Sequence, residues 1–352
     1  MRNEKIDLLR FIGLSMIILA HVGPQKLIFQ LRNFDVPLMV LLSGVSFSLS
    51  FKSEPYIQYV WKRVKRLLFP TWIFLTIYFV FVKFIPSIAN IDVNNFRTLF
   101  NAYSLIGEIG YIWIIRVFLM IALVAPFIYR WSNKIKSDQY YLVILFLILL
   151  LYEFVKFIAS IYFKGDIAQI VDSYISPYLF YVIPYSIIFA LGLRINSMRR
   201  KNNYIVLAFS LITFCCFLLF FVIKEQTFIP TQLYKFPPSI YYFSYAVFIS
   251  MSLWISSHNI WQYISKYLSL KRFILFVACN TMWIYLWHIP IVEALQAPIL
   301  KGFTINFWIK YFIVYAIAVT ITLIQVWFVN CFILPKLKNV NAQKNTRTIF
   351  TG

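Results

Sequence analysis

The stretch YYLVILFLILLLYEFVKFIASIY, residues 140–162, decides the fold class. No glycine or proline interrupts it, and its only acidic or basic residues are Glu153 and Lys156. At 1.5 Å per residue such a run, wound as a helix, covers roughly 34 Å, more than the ~30 Å hydrocarbon core of a bilayer. Nine further apolar runs share its character: about 6–28, 36–51, 67–86, 106–128, 176–195, 204–223, 237–256, 273–297 and 307–334. The second is short and reaches full length only by extending into the loop before it. The first lacks a small-x-small cleavage site and carries Arg10 and His21, so it reads as a mature helix and not as a signal peptide. The expected architecture is therefore all-α and polytopic, with about ten transmembrane helices.

Composition excludes the alternatives. Of 352 residues, 61% are hydrophobic and 13% charged, and the mean hydropathy is +0.77; a soluble domain is about 45–50% apolar and about 25% charged. A water-soluble enzyme, a disordered chain and a disulfide scaffold are ruled out. The net charge of +21 would suggest nucleic acid in a soluble protein. Here the cations sit in short breaks between apolar runs, and membrane topology accounts for them without nucleic acid. With ten spans and a cytoplasmic N-terminus, 22 of the 33 Lys and Arg fall on the cytoplasmic side, among them Arg2, Lys62, Arg63, Lys65, Arg66, Arg199, Arg200, Lys344 and Arg347. Basic residues favour that side, so both termini are expected to be cytoplasmic. No gap holds a second folded domain: residues 1–334 read as one membrane domain and 335–352 as a short polar tail. Cys215, Cys216, Cys279 and Cys331 read as buried free thiols, and with three histidines no metal centre is expected.

Ionisable residues inside spans are costly and mark candidate sites. In EKIDLLRFIGLSMIILAH, residues 4–21, Arg10 and His21 are eleven positions apart. That is three turns plus roughly 20°, so both lie on nearly one face, about 16 Å apart along the axis. A snorkelling arginine and a satisfied core histidine would fit the same spacing. In CNTMWIYLWHIPIVEAL, residues 279–295, His288 lies about as deep as His21, and Glu293 follows. Arg116 sits near the middle of the fourth run, where a guanidinium needs a partner, water or an anionic ligand. Glu153 and Lys156 read as a mutual ion pair. Asn280 and Thr281 read as interhelical hydrogen-bonding groups. Tyr241, Tyr242 and Ser244 place hydroxyls near the start of the eighth run, where an aromatic belt or a sugar site would both fit. The cations of YVWKRVKRLLFPTW, residues 59–72, suit anionic lipid or a phosphorylated cofactor.

These segments together resemble the acyltransferase-3 family of integral membrane acyltransferases. Arg10 and His21 match its R-x10-H signature, led by Asp7. FDVPLMVLLSGVSFSLS, residues 34–50, is similar to the second-helix segment, with Ser43 and Gly44 in place. Arg63 and Arg66 fit the R-x-x-R element, completed by Pro70. YIWIIRVFLMIALVAPFI resembles the fourth-helix segment, although Ile114 and Ile115 depart from its usual aromatic and leucine. FPPSIYYFSYA and TMWIYLWHIPIV resemble late-helix segments.

The resemblance implies transfer of an acyl group, commonly acetyl, from cytoplasmic acetyl-CoA to a hydroxyl of a cell-envelope glycan or lipid-linked oligosaccharide. The setting would be a bacterial cytoplasmic membrane. A chain ending soon after the tenth run would act alone or hand over to a separate extracytoplasmic partner. On this reading His21 is the base or a transient acyl carrier. Arg10, Arg63 and Arg66 hold the phosphates of coenzyme A, with Arg10 also a candidate for orienting the thioester. Arg116 is expected to stabilise the oxyanion. His288, with Tyr241, Tyr242, Ser244 and Glu293, lines the acceptor side. A transporter or flippase for a lipid-linked sugar, a glycan polymerase and a non-catalytic sensor are the rival classes: the family segments argue against the first, a polymerase is expected to carry larger extracytoplasmic loops, and replacement of His21 by Ala separates the third from an enzyme.

Overall fold

The computed structural model describes residues 3–86, 91–107, 109–165, 171, 175–296 and 306–351. Arg2 and residues 87–90 of the gap after the third run lie outside them. Among the described residues the chain is all-helical, with no strand. Its helices are α1 (Glu4–His21), α2 (Lys26–Leu31), α3 (Asp35–Ser50), α4 (Tyr56–Phe84), α5 (Phe96–Tyr103), α6 (Trp113–Lys134) and α7 (Asp138–Tyr162), then α8 (Leu179–Ile195), α9 (Arg200–Glu225), α10 (Ile240–Ile264), α11 (Leu268–Cys279), α12 (Thr281–Gln296), α13 (Phe307–Phe328) and α14 (Val340–Phe350).

Every apolar run carries helix, but not every run is one straight span. Seven helical stretches are long and apolar enough to cross a membrane, and a bent pair makes an eighth. The second run does extend backwards: α2 and α3 together give Lys26–Ser50. At 17 residues α8 is short, about 25 Å by helical rise. In α1, Glu4, Lys5, Asp7 and Arg10 crowd the first turns.

The ninth run departs from expectation. It breaks into α11 and α12, bent by 84°. Asn280 sits at the break with φ −111°, ψ 24°. Its side-chain amide donates to the Phe276 carbonyl (2.8 Å), and its own carbonyl accepts from Ile284 N–H (3.0 Å). Asn280 thus caps one helix and starts the next, satisfying backbone groups that apolar surroundings would leave costly. The fourth run is also shorter than read. Residues 106, 107 and 109–112 are not helical, so Arg116 lies in the first turn of α6 and not at mid-helix.

The chain divides into two compact units. The first comprises Met1–Leu9, Lys26–Ser53 and Met120–Tyr263. Within it α3 packs along α8 through Gly44 and Gly192. A Cβ on Gly44 would strike the Phe189 carbonyl oxygen, and one on Gly192 the Leu41 carbonyl oxygen. Bare Cα atoms let the two backbones touch, the usual device where helices pack without a solvent-driven force. Along α3 the hydroxyls of Ser43, Ser46, Ser48 and Ser50 each donate to a carbonyl of their own helix, so SGVSFSLS carries no polar debt into the apolar interior.

The second unit comprises Arg10–Gln25, Glu54–Leu119 and Ile264–Gly352. Within it α12 packs against α4 and α13, and α14 against α4. The polar tail therefore continues as an ordered helix. The four cysteines are exposed on helix surfaces, not buried in the protein: an apolar residue facing outward from a membrane helix still meets an apolar environment.

Candidate active site

α1 ends at His21, and Gly23 beyond it takes φ +69°, the left-handed conformation that turns the chain at least cost on glycine. The end leaves the His21 carbonyl without an intrahelical donor, and the side-chain amide of Gln296, at the end of α12, donates to it (3.0 Å). Two turns earlier on α12, His288 is fully buried, and its Nε2 lies 2.7 Å from His21 Nδ1. The ring planes differ by 14°, with centroids 5.0 Å apart. With two nitrogens at hydrogen-bond distance, that separation describes rings joined edge to edge, not face to face.

His288 Nδ1 contacts the Tyr285 carbonyl. A carbonyl only accepts, so Nδ1 carries the proton. In a neutral His288 ring Nε2 is then the acceptor, His21 Nδ1 donates to it, and the lone pair of His21 falls on Nε2. Partners of this kind fix the tautomer of a histidine and hold its ring in place. Tyr111 packs edge-on against His21 at 4.6 Å and lies 6.1 Å from His288, while the Tyr285 hydroxyl donates to the Tyr111 carbonyl. Glu293 accepts from the Tyr78 hydroxyl of α4 (2.5 Å).

Arg116 is engaged elsewhere. Its Nη1 donates to the carbonyls of Leu105 (3.0 Å) and Ile106 (3.1 Å). Leu105 takes φ +59°, a left-handed conformation that costs a non-glycine residue roughly 1–2 kcal/mol. It ends α5, and Ile106 N–H closes the turn onto the Asn101 carbonyl (2.9 Å). The buried guanidinium is thus tied through Nη1 to the loop that carries Tyr111.

The arginines of the R-x-x-R element do converge. Arg66 feels the charges of both Arg10 and Arg63, and Arg63 stands over the Tyr59 ring at 4.9 Å. Lys62, Arg63, Lys65 and Arg66 line a cleft of about 620 Å³ whose remaining lining residues come from α14.

The expected acceptor residues divide between the units. Glu293 lies in the second unit, with His21 and His288. Tyr241, Tyr242 and Ser244 lie in the first and are buried in it. Tyr241 OH donates to the Ile229 carbonyl (2.9 Å) and Ser244 Oγ to the Tyr241 carbonyl (2.9 Å), so these two hydroxyls are bonded to backbone. Glu153 and Lys156 form the anticipated pair (2.7 Å), and Glu153 also accepts from Ile240 N–H (2.5 Å).

Sequence reasoning missed Tyr78, Tyr111, Tyr285 and Gln296, which resemble any other membrane-helix aromatic or amide until α12 is placed. It also missed a buried polar cluster in the first unit. There Asp35 pairs with Arg32 (2.8 Å) and faces Lys235 (3.7 Å). Thr231 bonds Gln30 and Asn33 (2.9 Å each). The i, i+3 spacing of Arg32 and Asp35 was the one available signal. Among the described residues, no three His, Cys, Asp or Glu side chains gather as metal ligands would.

The sequence profile of a family described as an acyltransferase domain matches residues 3–327 of this chain. No curated protein and no solved structure matches it. A match over nearly the whole length, on a multi-pass helical scaffold that pairs the R-x10-H histidine with a second one, assigns the chain: it belongs to the acyltransferase-3 family of integral membrane acyltransferases.

Proposed function

We propose that this acyltransferase is an O-acetyltransferase, taking its acyl group from acetyl-CoA on the cytoplasmic side of a bacterial cell membrane and delivering it to a hydroxyl of a cell-surface polysaccharide or lipid-linked sugar. The observation that carries the reading is the 2.7 Å contact between His21 and His288, with His288 tied through Nδ1 to the Tyr285 carbonyl. It gives His21 a defined basic nitrogen in a site where acyl transfer needs one.

In the reaction His21 Nε2 takes the proton of the acceptor hydroxyl. The oxygen attacks the thioester carbonyl, a C–O bond forms and the C–S bond breaks. The proton returns from His21 to the departing thiolate. His288 holds the ring and stabilises the imidazolium that forms at His21. Arg10, Arg63 and Arg66 hold the donor's phosphates as charge-assisted partners, and Glu293, set by Tyr78, lies on the acceptor side. Arg116 is a positioning residue for the loop of Tyr111. Tyr241 and Ser244 support the first unit, since their hydroxyls are bonded to backbone.

The test is reconstitution in vesicles with isotope-labelled acetyl-CoA and the envelope glycan of the source cell. The expected result is labelled ester on the glycan with the wild-type chain and none with His21→Ala. A wild-type chain that leaves the glycan unmodified, or a stably folded His21→Ala chain that acetylates normally, overturns the reading.

A further inference from the structure

Residues 340–350 lie beyond the family match, yet they form an ordered helix against the cationic part of the second unit. Asn339 caps α14 by accepting from the N–H groups of Asn341 (2.8 Å) and Ala342 (3.3 Å). Its far end is anchored: Trp283 Nε1 donates to the Ile349 carbonyl and Gln325 Nε2 to the Phe350 carbonyl, both at 2.8 Å. The Phe350 ring lies parallel to Trp283 at 6.2 Å. Gln325 also accepts from Trp287 Nε1 (2.8 Å), beside His288. These contacts leave Lys344 and Arg347 exposed and turned to the cleft.

That cleft gathers like charge. Lys62, Arg63, Lys65, Arg66 and Lys344 line its larger part with Asn341, Asn345 and Thr348. Arg347 joins Arg66 and Lys344 in an adjoining space of about 310 Å³. No carboxylate lines either part; Glu54, bonded to Lys62, lies outside the lining. Arg63 Nε is buried and has no hydrogen-bond partner among the described residues. Cations one turn apart on a helix repel, and a second helix bearing Lys344 and Arg347 adds to that repulsion. A polyanion in the cleft removes the cost and takes up the open donors.

We propose that α14 supplies the second wall of a polyphosphate site, with Lys344 and Arg347 joining Arg63 and Arg66 around the phosphates of the acyl donor. The proposal rests on the reading of that donor as a coenzyme A thioester. It makes the segment outside the family match a determinant of donor affinity, attached through Trp283, Trp287 and Gln325 to the helix that carries His288.

The experiment uses the full chain in phosphatidylcholine nanodiscs and titrates coenzyme A. Lys344→Ala with Arg347→Ala should weaken binding by roughly tenfold or more and flatten its salt dependence. Lys344→Arg should bind as wild type. Both substituted side chains are exposed, so the unfolding temperature should not move. Unchanged affinity in the double variant, with wild type binding normally, overturns the role of α14 alone. A wild-type chain that does not bind coenzyme A overturns the donor reading and this proposal with it. A parallel arm in phosphatidylglycerol nanodiscs follows retained lipid by mass spectrometry. If the double variant loses phosphatidylglycerol but keeps coenzyme A, the site belongs to a lipid headgroup and the proposal falls.

Discussion

The two units use buried or crowded charge in opposite ways. In the first, Arg32 and Lys235 meet at Asp35, and Arg194 is closed off by Asp138 (3.4 Å), Ser132, the Ile135 carbonyl and the face of Tyr141. In the second, Arg63, Arg66, Lys344 and Arg347 line a cleft free of carboxylates, and two histidines meet ring edge to ring edge. Charge that is neutralised within the protein is spent on holding helices together. Charge left facing like charge is available to a ligand. The same residue types therefore carry different information in the two units, and only their neighbours tell which.

The comparison can be broken at several points. Removing the proposed base should have the largest effect: His21→Ala should cut transfer by about 10²–10⁴-fold with little change in unfolding temperature, checked by labelled acetyl transfer in vesicles. His288→Ala should lower the maximal rate more than it raises the Michaelis constant for the donor, because it acts through His21.

In the first unit the expected loss is of stability. Asp35→Ala strands two buried cations, and breaking a buried pair costs about 3–5 kcal/mol, read as a large drop in unfolding temperature. Arg66→Ala should do the reverse. It relieves repulsion, leaves stability unchanged or raised, and weakens coenzyme A binding about tenfold in a titration.

Gly192→Ala should destabilise by about 1–3 kcal/mol, because the new methyl meets the Leu41 carbonyl; denaturation in detergent measures it. The smallest effect is a pH dependence. Burial lowers the Lys235 ammonium to about 8 even though Asp35 opposes the shift. Between about pH 8 and the usual lysine value the unfolded chain binds a proton that the folded chain does not, so stability from this group rises with pH across that window. Wild type should gain stability relative to Lys235→Met from pH 8 to 10 and show no such relative change below pH 7.

Much of the fold was legible because hydropathy reports burial in lipid directly: all ten apolar runs hold helix. The failures have local causes that hydropathy does not carry. Asn280 marks the break in an apolar run, its side-chain amide adding a second donor to the Phe276 carbonyl at the end of α11. Leu105 turns a chain where glycine would be expected, held by Arg116. In the site, the spacing of Arg10 and His21 and the depth of His288 pointed to residues that the fold gathers in one unit. Tyr78, Tyr111 and Gln296 were invisible, since each gains its meaning from a contact distant in sequence. α14 was hidden for another reason. Its composition is polar, and it is held by a tryptophan and a glutamine on other helices.

His21 is gripped twice by α12, through its ring at His288 and through its carbonyl at Gln296. Two attachment points on one rigid rod fix a lever arm as well as a position. A tilt or slide of α12 would carry both attachment points together, and the imidazole with them.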